Sequence, residues 1–544
     1  MKKGLAIISV LVSLCGCIEN DLPYPVRVAE ITAMEVEDAS SVKIDPARRS
    51  VTIELEETAD ISKVRILSAA YRHEFTVSEP ELVTVHDLSE PLKVTLKTYQ
   101  DYEWTLTATQ YIERYFTVKG QVGAAVIDDV NRRAVISVSG STSMKNIAVT
   151  SLKLGPAGAS YKPTMSEIHD FTDGVEVEVS FGGRTENWQL YAEKTDVSVQ
   201  MTSIDAWTGC AYLSASGVAD SESGFLWRAK GGSEWIEAEG VTMEGGTFSV
   251  CLDGLQPKTA YECQAYSGGD NTETVEFVTE AADQLPNAGF EAFSHAESQV
   301  YCSWFDPASS ELGWQTKWWD SGNIGSTTVG SAYCIAIPDT DIRHEGSASA
   351  SLVSRNVVIK FAAGNTFSGE FAGLVGTQGG LVNFGRPWVL RPRAIRLWAR
   401  YECGKIDVVD GYPAGNPVKV GDPDFCSMMV ALGDWDYRKF GGTPQSPVQV
   451  NTTDKSTFLD PGNEAVIAYG YFSANSSSNS WSSLPQVIGS DADGWMELEI
   501  PLDYRAVNRK PTHIIVSFAS SALGDYFTGS SQSRLWIDDI RLIY

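Results

Sequence analysis

The stretch Ile44-Asp45-Pro46-Ala47-Arg48-Arg49-Ser50-Val51-Thr52-Ile53 returns 83 positions later as Ile127-Asp128-Asp129-Val130-Asn131-Arg132-Arg133-Ala134-Val135-Ile136. His86-Asp87 returns as His169-Asp170, and Trp104, Leu106 and Ala108 return, with one insertion, as Trp188, Leu190 and Ala192. A fixed period means that one supersecondary unit is used twice. Within each copy, apolar and polar residues alternate in short runs divided by Gly, Asn, Asp and Pro, the period-two signature of half-buried strands. A unit of this length with one Trp-bearing apolar face has room for one two-sheet sandwich. The repeat therefore predicts two β-sandwiches in the first 200 residues. The same alternation runs through the rest of the chain without long helical periodicity, so the whole protein is expected to be all-β.

At 544 residues the chain is several times the roughly 100 to 200 residues of one domain, so several cores are required. With 43% hydrophobic residues it can bury them, which excludes intrinsic disorder. The 42 Lys and Arg against 70 Asp and Glu give a net charge of −28, a field that repels phosphate backbones. Nucleic acid is excluded as a partner. Most of the excess is N-terminal, since residues 284–544 hold 19 basic and 27 acidic side chains, 19 − 27 = −8.

Lys2 and Lys3 precede an apolar run from Leu5 to Leu14, too short for a bilayer core of ~30 Å and typical of a signal peptide over residues 1–16. Leu14-Cys15-Gly16-Cys17 resembles a bacterial lipobox, which makes Cys17 the lipidated first residue; ordinary secretory cleavage is the alternative. Ile18-Glu19-Asn20-Asp21 is similar to the surface-export signals of Bacteroidetes lipoproteins. The expected location is the outer membrane, held by lipid and facing the exterior. The later cysteines, Cys210, Cys251, Cys263, Cys302, Cys334, Cys403 and Cys426, are scattered singly without zinc spacing and read as buried thiols, with Cys302 and Cys334 as one conceivable disulfide.

The two repeats, residues 17–112 and 113–199, fit immunoglobulin-like sandwiches. Leu255-Gln256-Pro257-Lys258-Thr259-Ala260-Tyr261 resembles the fibronectin type III pattern and defines a third module over 200–282. In residues 283–544, Asn287-Ala288-Gly289-Phe290-Glu291, Gly313-Trp314, His344-Glu345-Gly346-Ser347 and Leu535-Trp536-Ile537-Asp538-Asp539 look like strands of galactose-binding-type jelly rolls. With Ala363-Gly364-Asn365-Thr366-Phe367-Ser368-Gly369, Gly385-Arg386-Pro387-Trp388, Arg391-Pro392 and the run from Asp424 to Leu432, they resemble the PCMD family of Bacteroidetes surface lipoproteins. The resemblance implies a jelly-roll head similar to carbohydrate-binding modules, preceded by Ig-like domains, with no activity established across the family.

Ten of the 15 tryptophans fall in this head, and sugars stack their C–H faces on aromatic rings. Trp318 and Trp319 are consecutive, so in an extended segment one faces away from the core; one of them, and Trp388, are candidate platforms, against the alternative of core packing. Alternation puts Arg396, Trp398 and Arg400 on one strand face, able to hold a carboxylated or sulfated sugar or else to pair with neighbouring carboxylates. Asp434 with Asp436, and Glu497 with Glu499, have the i, i+2 spacing that a glycosidase pair permits, but such pairs are also ordinary on solvent faces, and no catalytic residue is assigned. Glu291 and Asp539 belong to terminal strands that neighbour each other in jelly rolls. They are candidate ligands for a structural calcium, the alternative being an ion pair of Asp538 or Asp539 with Arg541.

The expected function is glycan binding by the C-terminal head of a cell-surface lipoprotein during carbohydrate acquisition, with oligo- or polysaccharide and other glycan-uptake proteins as partners. The alternatives are a glycoside hydrolase and a structural or adhesive protein that binds another protein.

Overall fold

A computed structural model describes residues 28–295, 302–304, 317–358, 360–410 and 418–544. The signal peptide, Cys17 and Gly313-Trp314 lie outside them, as does the side chain of Cys302. The chain is all-β, as the alternation predicts: small β-sandwiches in tandem, then a larger two-sheet sandwich. No helix among the described residues is long and apolar enough to cross a membrane. The described residues fall into two compact units, one within Met1–Ser198 with Val218–Asp220, the other Val199–Gly217 with Ser221–Tyr544.

In the first unit the repeat builds the same parallel strand pair twice. Ser50–Leu55 lies beside Asp101–Gln110 with Val51 opposite Leu106 and Ile53 opposite Ala108. Arg133–Ser139 lies beside Arg184–Thr195 with Ala134 opposite Leu190 and Ile136 opposite Ala192. The turn ahead of each pair repeats as well. Asp45 accepts from Arg48 N at 3.0 Å and Asp128 from Asn131 N at 2.9 Å, and both Arg49 and Arg132 take left-handed φ values, 52° and 54°. Trp104 and Trp188 sit fully buried in two separate cores. Asp87 and Asp170 each accept from the N–H two residues on, while His86 lies 3.0 Å from the Leu82 carbonyl; the His-Asp sequences close turns.

The second unit begins with a sandwich whose sheets are built around Cys210–Gly217 with Thr247–Asp253 and around Ser223–Ala229 with Ala260–Ser267. Tyr261, at the start of its strand, accepts from Gln256 N at 2.8 Å, the tyrosine corner that fixes such sandwiches. The remaining residues form the head. One sheet runs in the order Val448–Asn451, Gly379–Phe384, Asn365–Val375, His513–Ala519, Cys426–Gly433, Val466–Ala474 and Asp503–Tyr504. The other runs Ala336–Asp339, Ser349–Val353, Arg534–Ile543, Ala394–Glu402, Met496–Pro501 and Val487–Ser490. Leu397, Met428, Val430, Leu498, Phe518 and Ile537 are among the side chains that fill the space between them.

The third sandwich and the head meet around Arg391, whose side chain has no exposed surface. Its guanidinium donates to both oxygens of Asp205 at 2.8 Å, to Glu280 at 2.9 Å and to the Ala206 and Val507 carbonyls, and it lies 4.5 Å over the Trp207 ring. Trp207 packs on Tyr504 at 4.7 Å, and Lys510 pairs with Glu280 at 2.8 Å. A buried cation left short of a partner is costly. Asp205→Ala is therefore expected to lower the stability of this unit by about 3 kcal/mol, read as a lower thermal midpoint of the full chain; an unchanged midpoint would show that the joint does not depend on this contact.

Candidate functional site

Strand alternation gives the larger head sheet two different faces. Met428, Val430, Val516 and Phe518 point into the core, so Ser427, Met429, Ser517 and Ala519 point away from it. The register aligns these outward residues in two cross-strand rows. One reads Phe367, Ser517, Met429, Tyr471 and the other Asn365, Ala519, Ser427, Ser473. Further along the same face, Ala431 and Ile515 are covered by Trp435, Val448, Ala465 and Val466, a second small core. The uncovered part is the floor of a cavity of about 590 Å³, within the usual range for small-ligand sites.

Its walls carry several aromatic and aliphatic side chains. Phe371 and Leu374 rise from one floor strand, Phe384 from its neighbour, Val450 from the strand beyond that, and Phe458 and Phe527 from loops. Phe371 fits because Gly325 and Gly380 flank it: a Cβ on either would come within 3.1 Å of the ring. Leu374 and Tyr471 are almost half exposed at the rim. Polar groups are interspersed with them. Ser427 and Ser517 offer hydroxyls from the floor, and Asp525 offers a carboxyl from the wall. Asp525 is accessible from the cavity yet enclosed by protein, and this enclosure pushes its carboxyl above the usual range.

Behind the wall, Asp424 is 1% exposed and accepts from Phe425 N, Ser530 N, Ser521 Oγ and Ser533 Oγ at 2.5 to 2.9 Å. Burial raises its carboxyl, and these donors oppose the rise. Ser521 also meets Ser354, at 2.9 Å. The segment that carries Asp525 and Phe527 is thus tied at both ends to one buried carboxyl.

None of the six expected ligand-binding residues lines the cavity. Trp319 is corrected to a core residue: it is fully buried, packs on Phe290 and Phe518, and donates its indole N–H to the Pro286 carbonyl at 2.9 Å. Trp318 and Trp388 pack edge to face, 6.1 Å apart, and both bury their indole nitrogens. Arg396 pairs with Glu499 at 2.6 Å and Glu497 at 3.9 Å, and Arg400 lies over Trp536 and 3.7 Å from Glu402. Trp398 stacks on His344 at 3.9 Å. The cross-strand lattice, one of the two readings of this face, is the arrangement adopted. Asp434 is held by Arg509 at 2.7 Å and Asp436 caps Arg438 N at 3.0 Å, so these carboxylates are also engaged. Sequence reasoning sought tryptophan and missed Phe371, Tyr471, Ser427 and Ser517. The signal was there in strands whose outward positions are small or aromatic, where Met496–Pro501 has Glu497 and Glu499.

Residues 289–543 match the family described as "Putative carbohydrate metabolism domain", PCMD, so the chain carries a carbohydrate-related domain over its C-terminal part. No curated protein matches the chain. Among solved structures, it is similar to a "putative glycoside hydrolase" from Bacteroides thetaiotaomicron, at 13% identity and TM-score 0.29, over 96% of this chain and 98% of that one. It is also similar to the surface glycan-binding protein PbSGBP-B from Prevotella bryantii, at 10% identity and TM-score 0.19, over 95% and 98%. A carbohydrate-binding module specific for non-crystalline cellulose matches at 9% identity and TM-score 0.19, over 42% and 87%.

Glu291 and Asp539 both reach the loop around Gly346. Glu291 accepts from Ser347 N at 2.8 Å, and Asp539 lies 2.7 Å from His344 Nδ1. A side chain at Gly346 would collide with Glu291, and its φ of +64° lies in the left-handed region that favours glycine. The donor set fits calcium poorly. Glu291 and Asp539 are engaged by Ser347 and His344, the neighbouring Asp538 spends both oxygens on the N–H groups of His344, Glu345 and Asp539, and the chelating trio His344, Glu345 and Asp539 includes a nitrogen where calcium prefers oxygen. Burial, and then the neighbouring Asp539, push the Asp538 carboxyl up to about 7. The folded state thus binds this proton more tightly than the unfolded chain, so the group's contribution to stability is greatest below about pH 4 and is lost as pH rises to about 7. Asp538→Asn removes this titration. Denaturant midpoints of the variant, measured at pH 4.5 and 7.5, are expected to fall less with rising pH than those of the wild type; parallel profiles would contradict the assignment.

Proposed function

We propose that the protein is a lipid-anchored cell-surface protein that binds oligo- or polysaccharide in the cavity of its C-terminal head as part of carbohydrate acquisition. The observation that carries the reading is the cavity, with its aromatic walls and hydroxyl-bearing floor. Pyranose rings present apolar C–H faces and a rim of hydroxyls, which such a surface complements by stacking and a few hydrogen bonds. The carbohydrate-related domain over 289–543 supports the same reading. Hydrolysis is supported less, because glycosidases of the common kind need two carboxyl groups and Asp525 is the only one among the described lining residues. The lipobox-like Leu14-Cys15-Gly16-Cys17 supports an anchor at Cys17.

Tyr471→Ala removes an exposed ring from the rim and is expected to weaken binding about tenfold, measured against whichever oligosaccharide a glycan array retains on the full mature chain. Unchanged affinity would move the site elsewhere. Cys17→Ala is expected to shift the protein from the membrane to the soluble fraction; membrane retention of that variant would refute the anchor.

A further inference from the structure

The cavity is nearly without ionisable groups, and the one it leaves unmatched is an acid. Of its described lining residues only Lys360 and Asp525 are ionisable to a charged form near neutral pH. Lys360 is already matched: its ammonium lies 2.6 Å from Asp410 and 4.7 Å over the Phe527 ring. Asp525 has no ion pair or hydrogen bond among the described residues. The head residues outside the description, 296–301, 305–316, 359 and 411–417, contain neither Lys nor Arg. Four of the head's arginines are committed elsewhere. Arg386 is buried against carbonyls, Arg391 holds the joint, and Arg396 and Arg400 lie on the opposite sheet.

Resting on the reading that the cavity binds glycan, we propose that its ligand is an uncharged oligosaccharide and that Asp525 is the residue that turns away carboxylated and sulfated sugars. A uronate or sulfate entering the cavity would give up its water, find the one cation among the described lining residues, Lys360, already paired with Asp410, and come up against the acidic side chain of Asp525. A neutral sugar gives up less hydration and carries no charge to be left unpaired. Its hydroxyls can donate to Asp525 and exchange hydrogen bonds with Ser427 and Ser517, while its ring faces lie on Phe371 and Tyr471. The excess of acidic residues over the chain as a whole acts in the same direction on approach.

The test uses the full mature chain on an array of neutral gluco-, xylo-, galacto- and manno-oligosaccharides beside oligogalacturonate, alginate and chondroitin sulfate fragments. Retention confined to neutral sugars is expected. A retained sugar is then compared with the same oligosaccharide oxidised at C6 to uronates. The wild type should prefer the neutral form by at least tenfold, and Asp525→Asn should shrink that ratio at least tenfold, with Asp525→Lys inverting it. Acidic sugars bound as tightly as neutral ones, or a ratio unmoved in both variants with native circular dichroism, overturns the role of Asp525 while leaving glycan binding intact. Retention of no sugar of any kind overturns the glycan reading itself, and this proposal with it.

Discussion

A single carboxyl, Asp424, fixes the wall on which the candidate site depends. It collects donors from Phe425, Ser521, Ser530 and Ser533, so the start of one strand, the end of another and the approach to the closing strand converge on one point. Buried polar groups are stable only when satisfied, and here each carboxylate oxygen has a partner. The loop between Ser521 and Ser530 carries Asp525 and Phe527 and has little apolar burial of its own. Its position follows from the network behind it.

The two sheets of the head divide their chemistry. Outward positions of Met496–Pro501 and Ala394–Glu402 are mostly glutamate and arginine in cross-strand pairs, with Trp398 stacked on His344 between them. Outward positions of Cys426–Gly433 and His513–Ala519 are small, apolar or hydroxyl-bearing apart from His513, and none carries a carboxyl, ammonium or guanidinium group. Half of that face is covered by the excursion around Trp435, and the other half stays open as the cavity. The sandwich thus has one outer face rich in charge and one with little of it.

The fold was legible because alternation and the 83-residue repeat are backbone-level signals: Val51 opposite Leu106 and Ala134 opposite Leu190 are the same contact in two copies. The site was less legible. Tryptophan marks large apolar surface without saying which side of a sheet it faces, and in Trp319 the core took it. Phe371 and Tyr471 come from different strands, and their convergence depends on sheet order, a long-range property that no local run encodes. Arg391 was noted only as part of a family pattern; its partners Asp205 and Glu280 are more than 100 residues away in sequence.

That joint has a consequence for how such chains can be assembled by recombination. A crossover near residue 283 that joined this head to a foreign third sandwich would strand the Arg391 guanidinium without Asp205, Glu280 and the face of Trp207. The third sandwich and the head are therefore expected to be inherited together as one exchangeable cassette. The two copies built on the 83-residue repeat each hold a complete core of their own, and they can be gained or lost with less penalty.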